Sequence, residues 1–195
     1  MPTLDKLTTA ARNAWAISPL GDGIEKYAGL PTTVLYDLPH RRLMRYDDGT
    51  SQPAEGTRPV LLVPPLAVSI RCYDLRPGQS LAAHLVESGK PTYVIDYGAI
   101  GFADRAMGFE DWIDDILPTA VQAVSLAHGN SEVDVVGWSL GGTMSLLTAA
   151  SHPDLPVASI TAFGTPPIAA VGRVVSQVPS TLSAATKPWT AGFFE

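Results

Sequence analysis

Gly137-Trp138-Ser139-Leu140-Gly141 has the form G-x-S-x-G, followed at once by Gly142. The run VDVV precedes it and GTMSLLTAA follows, so the serine falls where a buried strand turns into a helix. A hydroxyl on such a turn can act as the nucleophile of acyl transfer. The sharp turn lifts it clear of the sheet, and strand and helix then pass so closely that only small residues fit two places before and after it. Gly137, Gly141 and Gly142 are the expected supports. The N–H of Leu140, at the start of the helix, is one expected oxyanion donor. A second should come from the loop after PVLLVPP, with Leu66 first and Ala67 second. Pro64 and Pro65 have no N–H to give. On this reading Ser139 lies exposed at the floor of a pocket.

A serine nucleophile needs a base, and the base an orienting carboxylate, in the chain order Ser, acid, His. After Ser139 the acids are Asp154 and Glu195 and the one histidine is His152. A twelve-residue helix is roughly 18 Å long, which puts His152 at the far end from the elbow as a capping residue. His40 reads as a solvated turn residue, and His84 and His128 as surface or packing residues of crossover helices. Asp96 ends a strand at the catalytic edge but precedes the serine, and holds a loop. The triad is therefore expected to be incomplete in this chain.

The elements that must position the elbow follow from apolar runs. Two strands are expected within residues 32–46, joined near Pro39 and His40. PVLLV, TYVID and VASITAF read as buried strands of the kind covered on both faces, and VDVVGW as the strand before the elbow. Between them lie helices at about 79–88, at about 110–128 with Pro118 as a kink, and after the elbow to a stop at His152-Pro153. That alternation predicts an α/β fold with a parallel sheet containing 60–64, 92–96, 133–137 and 157–163 and Ser139 at its carboxyl edge. Residues 1–30 are expected to be a helical N-terminal segment, with a helix over 3–16. Residues 31–170 form the core, and 171–195 the start of a cap or linker.

Several linked segments resemble the polyhydroxyalkanoate synthases and their α/β-hydrolase relatives. They are VLLVPPLAVSIRCYDLRPGQSLAAHLVESGKPTYVIDYG, FEDWIDDILPTAVQAV, GWSLGG and FGTPPI, which fall in the same order over roughly 33–170. The resemblance implies an α/β-hydrolase fold, here incomplete, with the cap and the strands carrying the acid and histidine lying beyond this sequence. The synthases are similar at the elbow but carry cysteine there. Here Ser139 stands in its place, and the lone Cys72 falls in a different loop. The resemblance therefore implies a serine-type hydrolase acting on a hydroxyacyl ester or thioester. A synthase-like acyltransferase is the alternative, and an inactive fragment or interaction domain a third reading.

The chain has 195 residues, is 46% hydrophobic and 16% charged, and carries a formal charge of −6. This suits one globular domain and argues against a nucleic-acid partner. One cysteine and no signal-peptide pattern at the N-terminus lead to the expectation of a cytoplasmic protein. No run approaches a transmembrane span. No metal or organic cofactor is implied. The expected partner is a small acyl ester or thioester. The strand VASITAF, apolar on both faces and left at a sheet edge, is expected to favour self-association.

Overall fold

The computed structural model describes residues 28–50, 53–66 and 68–166, with Thr8, Thr9, Ala11, Ala14 and Trp15. Those five residues are helical, in line with the expected N-terminal helix; its remaining positions, Ala67, and the proposed cap segment lie outside the described residues.

Among the described residues eight strands and three principal helices follow in chain order. The strands are β1 (Thr32–Leu38), β2 (Arg41–Tyr46), β3 (Val60–Val63), β4 (Asp74–Arg76), β5 (Gln79–Ser80), β6 (Thr92–Asp96), β7 (Val133–Trp138) and β8 (Val157–Phe163). The helices are α1 (Leu81–Glu87), α2 (Leu117–Ala127) and α3 (Leu140–Ser151). Six strands form one sheet in the order β1-β2-β6-β3-β7-β8. The four predicted parallel strands are its β6, β3, β7 and β8, and the β1–β2 hairpin adds an antiparallel edge.

β3 lies at the centre with all four residues buried, because its two faces meet two separate apolar layers. Leu61 and Val63 join Tyr93, Ile95, Trp112, Ile116 and Val124 on the side covered by α2 and α3. Val60 and Leu62 join Met44, Tyr46, Val94, Ala82 and Val86 on the side covered by α1. From β3 the chain crosses to β6 on one side and then to β7 on the other, so the strand order reverses beside β3. The carboxyl ends of β3 and β7 therefore flank the crevice where open α/β sheets bind ligands.

Three expectations change in detail. The segment 79–88 begins with β5, the second strand of a short β4–β5 hairpin joined through Pro77 and Gly78, before α1 starts at Leu81 under a Ser80 cap. The long helix is widened, not simply kinked: Asp111–Ile116 is π-helical, and the Leu117 N–H reaches back to the Trp112 carbonyl. Pro118 has no N–H to continue the tighter ladder, and the wider turn absorbs the defect. β8 is not buried on both faces. Thr161 and Phe163 are exposed on the α1 side of the sheet along with Ser159, which donates to Asp134 at 2.7 Å. Among the described residues β8 pairs only with β7. No helix among the described residues is long and apolar enough to cross a membrane.

Candidate active site

Ser139 joins β7 to α3 with φ 51° and ψ −121°, a left-handed conformation that side chains rarely adopt. Such a backbone costs about 1–3 kcal/mol and persists only where its surroundings hold it. Here the hold is visible on both sides. The Ser139 N–H donates to the Phe163 carbonyl of β8 at 3.0 Å, and the Ser139 carbonyl accepts from the Gly142 N–H at 3.0 Å. A Cβ on Gly137 would stand 2.5 Å from the Gly142 Cα. One on Gly141 would strike the Val63 carbonyl and come within 2.8 Å of the Pro64 carbonyl oxygen. One on Gly142 would strike the Thr165 hydroxyl. The chain is thus packed to contact distance around the turn.

Ser139 is half-buried, and no described side chain bonds its hydroxyl. Leu140 is the first residue of α3, so its N–H is among those that open a helix with no acceptor inside it. The twelve residues of α3 also aim the positive end of the helix dipole there. Leu66 sits in the turn after β3, half-buried against the core layer of α2 and α3. The carbonyls just before it are tied down, Val63 by the Tyr73 hydroxyl at 2.7 Å and Pro64 by the Tyr97 hydroxyl at 3.3 Å. Contact of Gly141 with Val63 and Pro64 brings this turn against the elbow.

A cleft of about 470 Å³ opens beside the turn, between Pro64, Leu66, Val68 and Ser69 on one wall and Asp96, Tyr97, Gly98 and Ile100 on the other. Ser139 is not one of its walls, so the expected position at a pocket floor is not met; the elbow reaches the cleft through Gly141, which lies against Pro64. Asp96 holds the loop that forms the second wall, accepting from the Gly98 N–H at 2.9 Å.

None of the four histidines is hydrogen-bonded to Ser139. His84 is exposed on α1. His128 pairs with the Tyr93 hydroxyl at 2.9 Å, and burial holds its pKa below the ordinary value. His152 caps α3 and meets Asp114 at 3.0 Å. His40 differs from the solvated residue expected: φ is 55° and both ring nitrogens are engaged, Nδ1 with the Tyr97 carbonyl at 3.1 Å and Nε2 with Asp104 at 2.9 Å. It clamps the 98–104 loop at the carboxyl edge. The neighbouring strand β2 lies three places from β7, about 14 Å away at ordinary strand spacing. The Asp104 carboxyl is held below the usual range by the Gly101 N–H first and by His40 second. Only the turn signal at Pro39-His40 was readable in the sequence; the partners of His40 are 57 and 64 residues away. Among the described residues no His, Cys, Asp and Glu cluster could hold a metal.

The sequence profile of the alpha/beta hydrolase fold matches residues 59–186. The chain belongs to the α/β-hydrolase fold family. Within it the chain is related to the poly(3-hydroxyalkanoate) polymerases. It is 32% identical over 124 residues to the polymerase subunit PhaC of Allochromatium vinosum, covering 64% of this chain and 35% of that protein. To PhaC of Cupriavidus necator it is 29% identical over 134 residues, covering 66% and 22%. This α/β-hydrolase chain thus spans about a third or less of those two relatives. Among solved structures, the esterase RhEst1 of Rhodococcus sp. matches at 20% identity and TM-score 0.48, covering 69% of this chain and 46% of that one.

Proposed function

We propose that this α/β-hydrolase performs acyl transfer with Ser139 as its nucleophile. The observation that carries the reading is the backbone of Ser139 at φ 51°, strained and enclosed by Gly137, Gly141 and Gly142. Strain of this kind collects where geometry serves chemistry. The Oγ attacks the carbonyl carbon of an ester or thioester and its proton passes to a base. The N–H groups of Leu140 and Leu66 receive the oxyanion. Collapse expels an alcohol or thiol and leaves an ester on Ser139, which water then cleaves. With His40, His128 and His152 bonded elsewhere and His84 exposed on α1, the proposal assigns the base to a group outside these 195 residues, in a longer chain or a partner.

The relationship to poly(3-hydroxyalkanoate) polymerases supports a hydroxyacyl ester or thioester as substrate. It also supports a second reading, an acyltransferase that passes the acyl group to a hydroxyl instead of water. A third outcome is a non-catalytic fragment. The test is labelling with an alkyl fluorophosphonate, read by peptide mass spectrometry. The expected result is slow modification of the peptide containing Ser139 and none in Ser139→Ala. Equal labelling of both would refute the assignment. Free hydroxyacid or oligomer formed from a 3-hydroxybutyryl thioester then separates hydrolysis from transfer.

A further inference from the structure

We propose that Tyr73 is a positioning residue of this site: its hydroxyl replaces the last rung of the β3–β7 ladder and so sets the gap between the elbow and the turn at Leu66. The inference rests on the reading of Ser139 as nucleophile and goes beyond it to the group that fixes its placement.

The register supplies the argument. β3 and β7 run parallel with Leu62 opposite Val136 and Val63 opposite Gly137. Even-numbered residues of β7 turn their backbone groups toward β3, as the Asp134 N–H does in donating to the Pro59 carbonyl at 2.9 Å. Odd-numbered ones turn toward β8, as Ser139 does. The next rung of a regular parallel ladder would run from the Trp138 N–H to the Val63 carbonyl. The Tyr73 oxygen occupies that place. It accepts from the Trp138 N–H at 3.1 Å and donates to the Val63 carbonyl at 2.7 Å, with the Val136 carbonyl at 3.2 Å. A phenol has a single proton to give and lone pairs to accept with, so it can serve both strands at once.

Two bonds in series across an oxygen hold the strand ends further apart than one N–H···O bond of about 2.9 Å would. The added width falls where Gly141 lies against the Val63 and Pro64 carbonyls. Tyr73 is built into this place. It ends a short helical turn, Ile70–Tyr73, capped by Ser69, and is 2% exposed. Its ring meets Phe163 edge-on at 6.3 Å, and Phe163 stacks on Trp138 at 6.2 Å. Burial pushes the phenol far above its ordinary pKa, which keeps the donated proton in place. The rung therefore acts one residue before Ser139 on one strand and three residues before Leu66 on the other.

The test compares wild type, Tyr73→Phe and Tyr93→Phe as the full 195-residue chain. Tyr93 is equally buried, but its hydroxyl is bonded to His128. Fluorophosphonate labelling of Ser139 is resolved into reagent affinity and maximal rate. Because misplacement by about 1 Å can cost ~10²-fold, Tyr73→Phe is expected to lower the maximal rate roughly 10–100-fold with affinity changed less than about twofold, while Tyr93→Phe stays near wild type. Hydrogen exchange at the Trp138 amide is expected to speed up in Tyr73→Phe alone. In wild type, a slowly exchanging Tyr73 hydroxyl proton should lie near the Trp138 amide by NMR, whether or not the variant folds. A wild type that never labels at Ser139 defeats the nucleophile reading and with it the site Tyr73 would position; the exchange data then report only whether the rung exists. Labelling of Tyr73→Phe at the wild-type rate, or no such hydroxyl proton in wild type, overturns the inference.

Discussion

Gly141→Ala tests the close approach on which the elbow depends, because two physical effects there have opposite signs. Gly141 lies in the first turn of α3, where alanine is favoured over glycine by about 0.4–1 kcal/mol through helix propensity and the unfolded chain. Against this, the added Cβ would strike the Val63 carbonyl and stand 2.8 Å from the Pro64 oxygen and 2.9 Å from its carbonyl carbon. These atoms are backbone, and tyrosine hydroxyls hold both carbonyls, so they yield little. Overpacking costs typically about 1–3 kcal/mol, and a clash with held backbone belongs in the upper part, about 2–3 kcal/mol; less a propensity gain of about 1 kcal/mol, the net loss is about 1–2 kcal/mol. For a chain of this size that is roughly a 2–8 °C fall in Tm. Gly101→Ala is the control: its φ is −130°, and a Cβ there would come no nearer than 4.0 Å to the Asp104 carboxylate. Urea unfolding with the three proteins side by side is the assay. A Gly141→Ala protein as stable as wild type, or more stable, would refute the packing argument, since propensity alone predicts that result.

Three further outcomes follow from the same geometry. Ser139→Gly removes about 1–3 kcal/mol of backbone strain against a cost of about 0.4–1 kcal/mol in unfolded-chain entropy, so it should raise stability, by up to about 2.6 kcal/mol, in urea unfolding while abolishing phosphonate labelling. Burial depresses the His128 pKa below its ordinary 6.5, so the unfolded chain binds the extra proton first. Stability should fall as pH drops from about 7 to 5, and His128→Gln should flatten that slope in denaturant midpoints measured across the range. Asp104→Asn loosens the clamp from His40 and should speed proteolytic cutting in the 98–104 loop, read by peptide mapping, with unfolding of the whole chain little changed.

The central parallel strands were legible because a strand covered on both faces must be largely apolar, and VLLV and YVI are. The elbow was legible because a turn this tight leaves a local mark, two glycines at fixed distance from a serine. What escaped depends on register between distant segments. Nothing near Tyr73 in the sequence marks a hydroxyl that bridges to Trp138, 65 residues on, and nothing near His40 marks Asp104. The exposure of β8 was misjudged for a related reason: its alternation of Ser159 and Thr161 with apolar residues is short, and its mean composition reads as core. The widened turn before Pro118 was half readable. Proline announces a defect, while the way the helix absorbs it depends on how Trp112 and Ile116 pack.

The central claim, that Ser139 takes an acyl group onto its hydroxyl, is tested most directly by intact-mass and peptide analysis of the chain incubated with a 3-hydroxybutyryl thioester. The account predicts a slowly accumulating acyl adduct on the peptide containing Ser139, absent from Ser139→Ala, with thiol release no faster than that single event. An adduct on Cys72 with Ser139 unmodified would contradict it. So would repeated turnover that survives Ser139→Ala.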